Sequence, residues 1–123
     1  GIVLGQAIRG ALGEKFAINR YGSIILPMDE ALVLVALDIS GRPFLSFNAD
    51  IPAEKVGNFD TELVEEFMFA LARSLSCTLH ILKLAGKNSH HIIEAMFKAL
   101  GRALRDALRE TSGGLPSTKG VLL

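Results

Sequence analysis

Cysteine is nearly missing from this chain: Cys77 stands alone among 123 residues. No intrachain disulfide can form, and a thiolate-built structural zinc site is excluded. Nothing therefore argues for an oxidising compartment, and a cytoplasmic location, or an organelle matrix, is expected. An excess of charge is also absent, because thirteen Lys and Arg balance thirteen Asp and Glu. Without a global field, neither nucleic acid nor an acidic membrane is an expected partner, and any phosphate recognition must be local. Long apolar runs are lacking too. Charge or glycine interrupts each run well short of the roughly 20 residues that cross a bilayer, and no charged-then-apolar leader opens the chain, so a soluble protein is expected.

What the chain does have is apolar content, 50% of its residues with a positive mean hydropathy. Its length suits one core and not two, so a single domain over residues 1–123 is expected. That much apolar surface without a membrane span points to burial between subunits, and hence to an oligomer.

Periodicity divides the chain into mixed elements. Leu4, Ala7, Ile8, Ala11 and Leu12 recur at helical spacing, predicting a helix from Ile2 to Lys15 with Gly13 as a stop. No capping residue precedes that helix, which leads to the expectation that the polypeptide continues upstream. Gly22 to Leu26, Ala31 to Ile39 and Phe44 to Asn48 read as strands, the last two separated by the turn Ser40-Gly41-Arg42-Pro43. A capping-type residue and acids precede Leu63, Phe67, Ala70, Leu71 and Leu75, predicting a helix over Glu62 to Ser76. Cys77 to Leu84 is a predicted strand, Gly86-Lys87-Asn88 a turn and His90 to Arg109 a helix. Thr111 to Pro116 reads as a loop and Lys119 to Leu123 as a short final strand.

An internal repeat accompanies these elements. Leu4-Gly5, Ala7, Arg9, Ala11 and Leu12 superpose on Leu100-Gly101, Ala103, Arg105, Ala107 and Leu108. Amphipathic helices share Leu, Ala and Arg by chance, but a glycine inside a helix costs about 1 kcal/mol relative to Ala, and its repetition favours duplication.

The most informative residues are His90, His91, Glu94 and Lys98. They span one polar arc of about 100° beside an apolar arc of Ile93, Met96, Phe97, Leu100, Leu104 and Leu108. His90 with Glu94 is an i,i+4 pair and His91 with Glu94 an i,i+3 pair, so either pair can meet at one point. Adjacent histidines diverge by about 100°, which favours two metal sites, or one completed from elsewhere. Imidazole with carboxylate suits Mn, Fe or Zn better than Ca or Mg. The competing account is that the two histidines simply cap and solvate a helix start.

A second cluster suits phosphate. Leu115-Pro116-Ser117-Thr118-Lys119-Gly120 offers hydroxyls, backbone N–H groups and an ammonium in one loop. Lys98 shares the face of the metal-ligand candidates, and Arg20 and Arg42 sit at strand or turn edges. Taken singly, each of these cations reads as an ordinary surface base, and only convergence would make a clamp.

Five separated motifs carry a family resemblance: Asn88-Ser89-His90-His91-Ile92-Ile93-Glu94-Ala95, Phe59-Asp60-Thr61-Glu62-Leu63-Val64-Glu65, Pro27-Met28-Asp29-Glu30-Ala31-Leu32, Ser40-Gly41-Arg42-Pro43 and Pro116-Ser117-Thr118-Lys119-Gly120. In order and spacing they resemble imidazoleglycerol-phosphate dehydratases, a family of manganese-dependent lyases, with this chain matching about the C-terminal two-thirds. The resemblance implies an α+β fold, a two-layer sandwich of sheet and helices built from a duplicated half, with the first half incomplete. It implies trimers building a 24-subunit shell, with two Mn2+ per complete site. His90, His91 and Glu94 match metal ligands, with His90 also beside the substrate. Arg20, Arg42, Lys98, Ser117, Thr118 and Lys119 match groups that bind the substrate and its phosphate, and Asp29 lies near the substrate ring as a proton-handling group.

Two departures stand out. Many relatives carry a metal-binding histidine at position 66, where this chain has Glu66. Carboxylate replaces imidazole readily at manganese, so Glu66 is an expected ligand. The resemblance does not place His80 among the ligands, and a structural role is expected. The family's first His-His-x-x-Glu-Asp motif and a catalytic glutamate are also absent from this sequence, and each family site joins two motifs across a subunit boundary. An isolated chain without turnover is therefore expected. The alternatives are a metal-dependent assembly module without catalysis, and a phosphate-binding module without metal.

Overall fold

The structure, a computed structural model, describes residues 1–13 and 17–111. Helix α1 runs Ile2–Leu12, followed by strands β1 (Tyr21–Met28), β2 (Ala31–Asp38) and β3 (Phe44–Asn48). A minimal hairpin, β4 (Lys55–Val56) with β5 (Phe59–Asp60), leads into α2 (Glu62–Leu75), then β6 (Thr78–Ala85) and α3 (Ser89–Leu108). The expected strands and helices up to Leu108 are present with boundaries shifted by one or two residues, except that α1 ends at Leu12 while its expected end, Lys15, lies outside the described residues; the short hairpin is an addition that two-residue strands leave invisible to periodicity. The expected loop from Thr111 and the final strand Lys119 to Leu123 lie largely or wholly outside the described residues.

The main sheet has the order β1-β2-β6-β3, antiparallel except for β3 beside β6. The parallel pair requires a crossover, which α2 supplies. Along β2, Ala31, Val33, Val35 and Leu37 are buried and alternate with half-buried Leu32, Leu34, Ala36 and Asp38. Alternation sends the first set to the helix side. Leu79 and Ile81 of β6 pair with Leu37 and Val35 and share that side.

α3 packs on β1 and β2, while α2 packs on β3 and β6, and the Phe67 and Phe97 rings meet at 5.2 Å between the two helices. The result is an α+β sandwich, with α1 resting chiefly on α2. α3 buries Ile92, Met96 and Leu100 together with Ala95, Ala99, Ala103 and Ala107. Each large side chain so buried contributes roughly 1.5–3 kcal/mol. The helix is rotated slightly from the arc expected of it: Ile92 is buried, whereas Ile93, Phe97 and Leu108 lie at the border of the core. The alanine seam explains this, because small side chains let the helix sit close to the sheet. At the contact, a Cβ on Gly22 would lie 1.9 Å from the Ala103 carbonyl oxygen.

The two glycines of the sequence repeat occupy unlike surroundings. Gly5 is buried against Ser74 of α2, whereas nothing lies within 4 Å of a Cβ placed on Gly101. Apolar side chains stand exposed on α1 (Ile2, Val3, Leu4), on the helix-free side of the sheet (Tyr21, Ile25, Phe44) and on α2 (Leu63, Phe69). Among the described residues, no helix is long and apolar enough to cross a membrane.

Candidate metal centre

Asn88 begins α3: its side-chain oxygen accepts the His91 backbone N–H at 3.0 Å. Capping is therefore done by the asparagine, which frees both histidine rings from that task. Ser89 is buried and its Oγ accepts the Ala53 N–H at 2.9 Å, tying the helix start to the segment before α2.

From this anchored first turn the two rings diverge as helix geometry requires, with centroids 6.2 Å apart. His90 turns outward, its side chain 64% exposed, with Nε2 3.9 Å from Glu94 Oε1. Glu94 Oε2 lies 3.9 Å from Lys98 Nζ, so His90, Glu94 and Lys98 form a ladder at i,i+4 spacing. His91 faces the β1–β2 connection instead. Its Nδ1 meets Glu30 Oε1 at 2.6 Å, and its Nε2 lies 3.5 Å from Asp29 Oδ2. Asp29 takes a positive φ of 51°, a conformation that an Asp tolerates better than most residues.

Glu30 is a residue of this cluster that sequence reasoning did not single out, although it stands in one of the quoted motifs. Its Oε2 also accepts the N–H groups of Lys87 and Asn88, each at 2.8 Å. The only signal was a carboxylate in a two-residue hairpin turn, and the sheet register alone reveals that this turn abuts the start of α3. The His91 bond, followed by the Asn88 and Lys87 N–H groups, holds the Glu30 carboxyl down to about 2. The same bond, reinforced by the charges of Glu30, Asp29 and Glu94, raises the His91 imidazole above its ordinary value against a smaller opposing effect of burial.

The donors fit a borderline metal by chemistry, being imidazoles and carboxylates without thiolate. Among the described residues, however, no three His, Cys, Asp or Glu side chains converge on one point. Among the described residues two pairs of candidate donors stand out, His90 with Glu94 and His91 with Asp29.

The other expected site residues are dispersed. Glu66 is exposed on α2 in a shallow depression with Glu62, Glu65 and Phe69, a surface that no α3 ligand lines. Lys98 lines a groove of about 630 Å³ between α3 and β1 with Phe97, Arg102 and Arg105. Arg20 and Arg42 lie at the opposite end of the sheet from Asp29. β1 separates Arg20 from Asp29, roughly 25–30 Å at the rise of a strand. Arg20 is bound to Asp38, and Arg42 sits in the turn that Ser40 Oγ braces. The expected convergence of Arg20, Arg42 and Lys98 does not occur within one chain. Ser117, Thr118 and Lys119 lie outside the described residues. His80 sits on the helix-free side of the sheet, its ring 5.7 Å from that of Phe44, away from the candidate ligands of α3.

Comparison with known proteins closes on one family. The family model for imidazoleglycerol-phosphate dehydratase matches residues 1–104. The imidazoleglycerol-phosphate dehydratase of Acetivibrio thermocellus is 64% identical over 99% of this chain and 64% of its own length. That of Moorella thermoacetica is 56% identical over 99% of this chain and 63% of its own. The crystal structure of the Staphylococcus aureus enzyme superposes with a TM-score of 0.87 at 53% identity, covering 89% of this chain and 64% of that one. The Pyrococcus furiosus enzyme, in complex with (S)-C348, gives 0.86 at 50% identity over 98% of this chain and 66% of its own. The chain thus spans 60–64% of the length of such curated relatives. On sequence, spacing and fold together, the chain belongs to the imidazoleglycerol-phosphate dehydratase family.

Proposed function

We propose that this chain forms part of a manganese-dependent hydro-lyase of L-histidine biosynthesis, which removes water from D-erythro-imidazole-glycerol phosphate to give imidazole-acetol phosphate. The observation that carries the reading is the grouping of His90, His91 and Glu94 at the start of α3, His90 turned outward and His91 towards Asp29 and Glu30, in a chain of this family. His90 with Glu94 would hold one ion and His91 Nε2 the other, and Glu66 would add a carboxylate from α2.

Bound manganese would supply Lewis-acid stabilisation of the charge that builds as a C–H proton is lost and hydroxide leaves. Asp29, its side chain 75% exposed, would hold or relay a proton at the substrate ring. Lys98 and Arg42, with Ser117, Thr118 and Lys119, bind the phosphate, so that remote binding energy orients the reacting carbons. Arg20 commits Nε and Nη2 to Asp38, and its share in that clamp is the smallest.

Because the arginines and the α3 ligands occupy opposite ends of the sheet, a working site on this reading joins groups from different copies. Trimers building a 24-subunit shell would do this and would cover the exposed apolar side chains of α1, α2 and the sheet. Among the described residues the candidate ligands come only in pairs, so the 123-residue chain alone is proposed to lack turnover.

The test combines this chain with the segment of the 64%-identical relative that it does not cover. Dehydration that depends on added Mn2+ and is lost with chelator is the expected result, with none from the chain alone. Turnover by the chain alone, or turnover indifferent to chelator, overturns the proposal. Mn2+ that changes the assembled mass without any dehydration points instead to an assembly module.

A further inference from the structure

Three hydrogen bonds converge on the Glu30 carboxylate, two from backbone outside the ligand display and one from a ring within it. Two come from the backbone N–H groups of Lys87 and Asn88 in the connection between β6 and α3, each at 2.8 Å. The third partner is His91 Nδ1, at 2.6 Å. An ionised carboxylate can only accept hydrogen bonds, so Nδ1 carries the hydrogen in that contact. A neutral imidazole with hydrogen on Nδ1 has its one in-plane lone pair on Nε2, the nitrogen that faces Asp29 and solvent.

We propose that Glu30 is a positioning residue for metal binding: it sets His91 in the Nδ1–H tautomer and clamps the start of α3 to the β1–β2 turn, so that Nε2 is presented as the donor atom. The inference rests on the reading of His91 as a metal ligand. The carboxylate acts on both halves of the task at once. Oε2 fixes where the first turn of the helix begins, and Oε1 fixes how the ring is turned. Ligating imidazoles generally need such a partner on the second nitrogen, and losing one weakens metal affinity by roughly 10–100-fold.

Glu30→Gln separates these functions, because an amide has one acceptor oxygen and one donor nitrogen. If its oxygen stays on the Lys87 and Asn88 N–H groups, its NH2 faces Nδ1, which must then accept. The hydrogen moves to Nε2 and blocks the donor atom. If the amide turns over, the backbone donors lose their acceptor.

The first measurement is the ring nitrogen NMR signature of metal-free chain at pH 8.5, with His91 identified by comparison with His91→Ala. Nδ1–H is expected in the wild type and Nε2–H in Glu30→Gln. An Nε2–H wild-type ring, or a ring unchanged by the substitution, overturns the proposal. The second is Mn2+ affinity of the protein completed with the remaining segment of its relative. Glu30→Gln is expected to weaken it tenfold or more, while the circular dichroism of the fold persists. Weakened binding in His91→Ala together with unchanged binding in Glu30→Gln overturns the positioning role alone. Unchanged binding in His91→Ala overturns the ligand reading, and the proposal with it. A Glu30→Gln variant that loses only thermal stability, with tautomer and affinity intact, shows a merely structural tie and also overturns it.

Discussion

Arg20 Nε donates to Asp38 Oδ1 at 2.6 Å, across the open end of the β1–β2 hairpin. Nη2 adds a longer bond to Oδ2 at 3.3 Å, and the guanidinium carbon lies 4.9 Å from the centre of the Tyr21 ring. The Asp38 bond raises the Arg20 pKa further above its ordinary value. Arg20 itself has a φ of 78°, which lets its N–H reach the Ala107 carbonyl while its own carbonyl accepts the Ile39 N–H. The residue therefore joins the end of α3 to the end of β2, a structural role that a surface base would not have.

Arg20 and Arg42 should consequently separate by stability. The Arg20 and Asp38 side chains are 12% and 22% exposed, so Arg20→Ala strands a half-buried carboxylate and should cost about 1–3 kcal/mol in urea unfolding. Arg42 is exposed, and Arg42→Ala should stay within about 0.5 kcal/mol. Equal midpoints for the two variants would refute the distinction.

Two glycine substitutions should have opposite signs. Gly22→Ala drives a methyl into the Ala103 carbonyl and should destabilise by about 1–3 kcal/mol or more, since backbone on both sides resists movement. Gly101→Ala meets open space in a helix interior and should stabilise by up to ~1 kcal/mol. Thermal melting of the two variants checks both.

Cys77 should be silent to thiol reagents until the chain unfolds. It is fully buried, and that burial, followed by the charge of Asp38, pushes its thiol up to about 12. An unfolded cysteine ionises near pH 8.5. Above that pH only the unfolded state releases the proton, so stability should fall as pH rises from about 8.5 towards 12. Cys77→Ala should flatten the stability profile in that range, and labelling of native protein at pH 8 would contradict the assignment.

Lys98→Ala, made in the completed protein, should raise KM for the phosphate substrate about tenfold or more while leaving stability within about 0.5 kcal/mol. The pairing with Glu94 is 3.9 Å long, between side chains 59% and 37% exposed, and such contacts contribute little to folding. Unchanged kinetics would remove Lys98 from the phosphate clamp.

The candidate site was legible where its chemistry is local. His90, Glu94 and Lys98 share a helix, and their spacing alone predicts the ladder found along α3. Glu30 was not legible, because its bonds to Lys87, Asn88 and His91 span the whole of β2, β3, α2 and β6. The buried face of α3 was half legible. Its large apolar residues mark the arc, but the alanines that set the depth of packing carry almost no hydrophobic signal.

Sequence by itself determined the longer helices and strands, the divergence of two adjacent imidazoles, and the family, since each follows from residue type and spacing along a chain of known period. Tertiary structure decided which carboxylates meet His91, which end of the sheet holds the arginines, and that Arg20 answers to Asp38. Those outcomes depend on strand register and turn conformation, which are set by packing between segments far apart in the chain and leave no periodic trace in any one of them.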